Sequence, residues 1–302
     1  MEKVIIIGAG PAGISAALYA VRGNLNPLVI NNGIGALEKA EKIENYYGLE
    51  HPLSGQELYD TGIAQAKALG VRILDAQVLG VGGFDTFVVK TTEGEFETQS
   101  LILATGSKRA APKIPGVKEF EGKGVSYCAI CDAFFYRGKD VAVLGNGDFA
   151  MHEAKELSNT ASTVTIYTNG EEPEFTPEEN ISVNTMKIQS VEGDDLVSGI
   201  RLAPDMQAEE INAEAGQQAN DFCPAEGVFI AMGTAGSTEI ARQMGAELTE
   251  KGNIKVNENM ETTIPGLYAA GDCTGGLLQV AKAVYEGAQA GINAGRYVRS
   301  LK

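Results

Sequence analysis

Val4-Ile5-Ile6-Ile7-Gly8-Ala9-Gly10-Pro11-Ala12-Gly13, near the start of the chain, decides its fold. Four consecutive β-branched apolar residues read as a strand buried on both faces. The glycine pattern follows at once, and Ile14 to Val21 continues with apolar helical periodicity, so the spacing predicts strand, tight turn and helix. Glycine is needed there because the backbone must turn sharply and come close to a pyrophosphate, whose charge then rests on the helix N-terminus.

The same arrangement recurs further along. Val141-Ala142-Val143-Leu144 leads into Gly145-Asn146-Gly147-Asp148-Phe149-Ala150 and a helical stretch to about Leu157. Each turn is followed by strand-rich segments, Phe84 to Thr91 and Glu95 to Thr105 in the first copy, Lys187 to Val191 and Val197 to Leu202 in the second. Each copy closes on a strand ending in glycine, Leu101 to Gly106 and Val228 to Gly233. The chain then returns with Pro265 to Asp272 and a last helix through Tyr297. The expected fold class is therefore α/β, with two Rossmann-like nucleotide-binding domains of three-layer ββα type, the second inserted in the first. Residues 1–110 and 237–302 form the discontinuous first domain and 111–236 the insert.

The chain has 302 residues, 44% of them hydrophobic, which is enough for two modest cores. Val4 to Ile7 is too short for a secretory leader and no long apolar run follows, so the expectation is a cytoplasmic protein without membrane segments. A formal net charge of −16 argues against nucleic acid and anionic membrane as partners. The charge is unevenly spread. From Lys108 to Lys139 there are seven basic residues (Lys108, Arg109, Lys113, Lys118, Lys123, Arg137, Lys139) against three acidic ones; from Glu171 to Glu226 there are fourteen acidic residues and only Lys187 and Arg201. Most such charges are solvated surface, but the basic block marks where an anion is welcome.

Between the two turns lies Cys128-Ala129-Ile130-Cys131-Asp132. A CxxC brings two sulfurs within bridging distance, and nearby positive charge lowers one thiol pKa so that an attacking thiolate exists near neutral pH. Asp132 is placed to protonate the thiolate that leaves. A structural zinc site needs a second cysteine or Cys/His pair, and Cys223, Cys273, His51 and His152 offer no such spacing, so no metal is expected. Those four residues read as packing or surface positions.

Together with Glu44-Asn45-Tyr46-Tyr47-Gly48, Ala104-Thr105-Gly106 and Gly271-Asp272, these motifs resemble the low-molecular-weight thioredoxin reductase family over nearly the full length of the chain. The resemblance implies FAD as cofactor, held by Gly8, Gly10, Pro11, Ala12 and Gly13. Asn45 is then near the flavin, Thr105 and Gly106 pack on the cofactor, and Gly271 and Asp272 meet its ribityl or phosphate portion. Gln279, Val280 and Ala281 stand where the family has Arg-Gln-Ala near the flavin. Cys131 is the sulfur nearer the flavin and Cys128 the one facing the partner disulfide of thioredoxin. The resemblance also implies a homodimer and an inserted domain that swings on connectors, here Lys108 to Gly116 and Gly233 to Ser237.

The chain departs from the family at the strand after the second turn. NADPH-using members end it in His-Arg-Arg, whose guanidinium groups pair with the 2′-phosphate. Here it reads Tyr167-Thr168-Asn169-Gly170-Glu171-Glu172. Phe149 and His152 replace a small residue and a glutamate in the turn and its helix, and both are expected to disturb a dinucleotide. With Gln279 in place of the flavin-side arginine, this is similar to ferredoxin-dependent flavin thioredoxin reductases. The leading expectation is thus a thioredoxin-disulfide reductase fed by reduced ferredoxin. Three alternatives stand beside it: an NADH-dependent reductase of thioredoxin or a thioredoxin-like protein, a dithiol oxidase using oxygen, and a flavin-binding redox sensor.

Overall fold

Val4, Ile5 and Ile6 are fully buried and Ile7 is nearly so, as a strand covered on both faces requires. The computed structural model describes residues 1–83, 85–106, 112–204, 221–232 and 236–301, with the backbone alone for residues 130 and 131. Two units divide the chain: Met1–Arg109 with Ala235–Lys302, and Ala110–Thr234.

The first leg runs β1 (Glu2–Ile7), α1 (Pro11–Arg22), β2 (Leu28–Asn31), α2 (Gly55–Ala68), β3 (Arg72–Asp75), β4 (Val78–Gly82), β5 (Phe87–Thr91) and β6 (Gly94–Leu103). The insert runs β7 (Val125–Ser126), α3 (Ala129–Asp132), β8 (Asp140–Leu144), α4 (Asp148–Ser158), β9 (Thr163–Tyr167), β10 (Ser182–Asn184), β11 (Ile188–Gly193), β12 (Val197–Leu202), β13 (Phe222–Pro224) and β14 (Gly227–Ile230). The return leg holds α5 (Ser237–Gln243), β15 (Leu267–Ala269) and α6 (Val280–Ser300).

In the first unit β3-β2-β1-β6 is parallel, and β15 adds to β6 in parallel. The long strand β6 serves two pairings. Its start, Gly94 to Thr98, takes β5 antiparallel and continues the β4-β5-β6 meander, while Leu101 to Leu103 pairs with β15. Helices α1 and α6 pack backbone to backbone. A Cβ at Gly287 would lie 2.1 Å from the Ala12 carbonyl oxygen and one at Gly291 2.3 Å from that of Ala16, so neither position admits a side chain.

The insert repeats this plan with a parallel sheet β10-β9-β8-β14-β7 and an antiparallel meander β11-β12-β13. Its core gathers Val117, Phe120, Leu144, Ile200 and Val228. The fifth parallel strand differs in origin. In the first unit it is β15, from the end of the chain; in the insert it is β7, which runs directly into the CxxC. The observed strand Gly227–Ile230 stops short of Gly233, which lies outside the described residues, as do Phe84 and residues 108–111 and 233–235 of the two connectors read as hinges. Helix α6 runs three residues beyond the expected end at Tyr297.

Candidate functional site

The three glycines of the first turn have three separate jobs. Gly8 has φ +108°, and a Cβ there would lie 2.3 Å from the Ala104 carbonyl oxygen; one at Gly13 would lie 1.8 Å from that of Gly8. A Cβ at Gly10 would meet nothing within 4 Å. Gly8 and Gly13 are thus demanded by the protein's own packing, whereas Gly10 faces open space where a ligand can approach. Pro11 opens α1, Gly10 gives its N-cap no side-chain bond, and the first turn holds no acidic residue. The helix N–H groups are left for an anion such as the FAD pyrophosphate, and the cradle fits it.

Tertiary structure gathers the other predicted positions around this turn. A Cβ at Gly8 would lie 3.1 Å from the Thr105 nitrogen, and one at Gly271 would lie 3.0 Å from the Ala12 Cβ. Asn45 Nδ2 donates to Gln279 Oε1 at 2.9 Å, joining two exposed positions 234 residues apart. Thr105 N donates to Ser237 Oγ at 3.1 Å and Ser237 N donates to Thr105 Oγ1 at 2.8 Å. Asp272 begins a 3₁₀ turn, Asp272–Thr274, and Val280 and Ala281 open α6. Gly106 has φ +84° just past the end of β6.

Two residues that the sequence reading passed over hold the Gly271 turn in shape. Glu286 Oε2 accepts from Gly271 N at 2.8 Å and from Thr274 Oγ1 at 2.9 Å. Lys282 Nζ donates to the Gly271 carbonyl at 2.8 Å, to Thr274 Oγ1 at 2.8 Å and to the Gly275 carbonyl at 2.5 Å, and pairs with Glu286 at 2.9 Å. The i,i+4 spacing of Lys282 and Glu286 is the one sequence signal that could have marked them.

In the insert, β7 delivers the dithiol segment. Cys128 is 2% exposed and disulfide-bonded, whereas Cys223 and Cys273 are free. Cys128 N donates to Ser126 Oγ at 3.1 Å, and the Ser126 hydroxyl donates to Asp132 Oδ2 at 2.6 Å. Ser126 therefore ties the candidate acid back to the cysteine it serves. From the other side Glu153, 2% exposed on α4, accepts from Ala129 N at 2.6 Å through Oε2. Burial pushes the Glu153 carboxyl up to about 7, against a smaller opposing effect of the Ala129 hydrogen bond. The Cys131 side chain lies outside the described ones.

The second glycine turn looks different from the first. Gly145 is again required, since a Cβ would lie 2.3 Å from the Ala231 carbonyl oxygen. Phe149 is 3% exposed and sits with Ala150 and Met151 among the buried residues of α4. The exposed residue in the first turn of α4 is the acidic Asp148, where a phosphate would meet a carboxylate. At the end of β9 the candidate clamp positions are used internally: the Thr168 hydroxyl donates to the Glu171 carbonyl at 2.5 Å, and Asn169 Oδ1 accepts from Ile188 N at 2.9 Å.

Cys273 is a packing residue: burial pushes its thiol up to about 12, and its Sγ bonds to the carbonyls of Ala270 and Leu103. Among the described residues no group of three His, Cys, Asp or Glu side chains is arranged to hold a metal ion, and no helix is long and apolar enough to cross a membrane.

Known proteins agree with this geometry. The family model "Pyridine nucleotide-disulphide oxidoreductase" matches residues 2–287. The chain is 37% identical over 284 residues to the thioredoxin reductase of Aquifex aeolicus, covering 89% of this chain and 84% of that one. The crystal structure of the atypical thioredoxin reductase from Desulfovibrio vulgaris Hildenborough matches with a TM-score of 0.88 and 39% identity over 99% of both chains. That of a ferredoxin-flavin thioredoxin reductase from Clostridium acetobutylicum matches with a TM-score of 0.68 and 29% identity, covering 99% of this chain and 98% of the other. The chain accordingly belongs to the pyridine nucleotide-disulphide oxidoreductases and, within them, to the FAD-dependent thioredoxin reductases.

Proposed function

We propose that this protein reduces the disulfide of thioredoxin through Cys128 and Cys131, with electrons drawn from reduced ferredoxin and not from a nicotinamide nucleotide. Unit one holds FAD through Gly8 to Gly13, Asn45, Thr105, Gly106, Gly271, Asp272 and Gln279 to Ala281. Bound FAD supplies a carrier able to take electrons singly and give them in pairs, the conversion a one-electron donor requires. The insert supplies the dithiol. Its opened form exchanges with the partner disulfide through a mixed disulfide, and Asp132, aligned by Ser126, protonates the leaving thiolate.

The observation that carries the donor assignment is the end of β9. No lysine or arginine occurs from Thr168 to Met186, and Glu171 and Glu172 come just after Thr168-Asn169-Gly170 at the strand's end. A 2′-phosphate meets no cation there. Thr168 and Asn169, already bonded within the unit, also leave ribose hydroxyls without the acid that NADH sites place at this position. Lys113, Lys118, Lys123 and Arg137 are exposed on the same unit as the dithiol and suit an acidic electron carrier.

The test is anaerobic flavin absorbance on mixing with NADPH, NADH or chemically reduced ferredoxin, with oxidised thioredoxin present. Bleaching by ferredoxin alone supports the assignment. Fast, saturable bleaching by either nicotinamide overturns it, and oxygen uptake driven by a dithiol substrate would point to an oxidase instead.

A further inference from the structure

Glu153 is the buried charged group that the disulfide-reductase chemistry leaves unused. Its Oε2 takes the N–H of Ala129, the residue after Cys128, at 2.6 Å, and its Oε1 is buried with no hydrogen-bond partner among the described residues. We propose that Glu153 is a positioning residue that sets the thiol acidity of the CxxC dithiol, holding the Ala129 peptide in place and opposing a neighbouring thiolate when its own carboxyl is ionised.

The argument is electrostatic and geometric. A peptide N–H beside a cysteine is a donor that a thiolate can recruit, and hydrogen bonding to the charged form is what lowers a thiol pKa. Glu153 has taken that donor. Once ionised it also places a like charge one residue from the sulfur, within a site from which water is excluded. Lys155 on the same helix pairs with Glu178 at 2.6 Å. The titratable groups on the Glu153 helix are Asp148, His152, Lys155 and Glu156; the elements packed against that helix carry Asp132 in α3, directly after Cys128's segment, Asp140 on β8 and Tyr167 on β9. Glu156 raises the Glu153 pKa further, and the Tyr167 hydroxyl is itself held neutral, first by burial and then by its bond with Cys223. With its carboxyl pushed up to about 7, Glu153 changes charge in the pH range where the enzyme must work. On this proposal the two ionisations are coupled, each charged form disfavouring the other.

The proposal rests on reading Cys128 as a redox cysteine but not on the identity of the electron donor. Its test accordingly uses neither ferredoxin nor thioredoxin. The FAD-loaded protein is reduced chemically and alkylated with iodoacetamide between pH 5 and 10. Mass spectrometry then follows the peptide carrying Cys128 and Cys131 separately from Cys223 and Cys273. Glu153→Gln keeps an oxygen for the Ala129 N–H and removes the charge. At pH 8 this variant should alkylate about five- to tenfold faster than wild type, corresponding to a thiol pKa lower by up to about one unit, and at pH 6 within about twofold of it. Glu153→Asp, which restores the charge, should return the pH 8 rate toward wild type. Superimposable profiles for Glu153→Gln and wild type would overturn the proposal and leave Glu153 a structural ligand of the Ala129 peptide. If Glu153→Gln does not fold, the wild-type profile alone decides. A bend near pH 7 followed by a shallow rise supports coupling, and a single ionisation curve refutes it. Failure of the redox reading itself shows elsewhere, as undiminished disulfide reduction by Cys128→Ser.

Discussion

Cys128 and Glu153 meet at one peptide, and each carries a prediction that a single substitution can check. Cys128→Ser is expected to abolish disulfide reduction while FAD stays bound, because the thiol and the glycine turn proposed to hold the cofactor belong to different units. Absorbance at the flavin band, with a turnover assay, reads both halves of that statement. Glu153 adds a pH dependence of stability. Its carboxyl lies at about 7 in the folded protein against 4.5 ordinarily, so between those values the folded chain holds a proton that the unfolded chain has released. Stability therefore falls as pH rises through that window and levels off above about pH 7. The shift of roughly two and a half units corresponds to an upper bound of about 3 kcal/mol. Thermal melts should show Glu153→Gln gaining on wild type at pH 8 and not at pH 4. The Glu153 effect was not legible in the sequence. A glutamate at that place in an amphipathic helix looks like any solvated charge, and only the packing of α3 on α4 buries it.

At the scale of elements, the glycine turns were legible because the constraint is local. A strand, a turn needing φ > 0 and a helix N-terminus are contiguous in sequence, so Gly8, Gly10 and Gly13 declare their roles. The Gly271 turn was legible only as a resemblance, since what shapes it comes from α6, one helix later. Lys282 and Glu286 close around it with side chains 16% and 11% exposed. Breaking such a pair leaves an uncompensated, largely buried charge and costs roughly 3 kcal/mol. Lys282→Met is therefore expected to lower the melting temperature and to release FAD. The dissociation constant should rise about tenfold, equivalent to about 1.4 kcal/mol, measured as flavin retained through gel filtration. A variant with full flavin content and unchanged melting would remove Lys282 from the account of this turn. The second turn shows the converse: its glycines read as a nucleotide site, while tertiary structure leaves Asp148 exposed in the first turn of α4 and bonds Thr168 and Asn169 within the unit.

Across the whole molecule the net charge is −16, yet the dithiol-bearing unit presents Lys113, Lys118, Lys123 and Arg137 at its surface. If an acidic ferredoxin docks there, ferredoxin-driven turnover should fall steeply with added salt. Lys118→Glu with Lys123→Glu should cut kcat/KM for ferredoxin about tenfold at low ionic strength and little at high. An unchanged kcat/KM and a flat salt profile would move the docking surface elsewhere. By itself the sequence determined two glycine turns, each with its strand and helix, the CxxC with Asp132, and a stretch without lysine or arginine from Thr168 to Met186. Each of these is written in one continuous stretch, where backbone geometry and residue type are enough to specify it. Tertiary structure decided what depends on contacts between distant segments. Asn45 meets Gln279, Thr105 meets Ser237, the helix α6 pins Gly271, and Glu153 reaches the peptide beside Cys128. Burial and hydrogen-bond partners are properties of packing, so the charge a carboxyl carries beside a disulfide is settled only when the helices are in place.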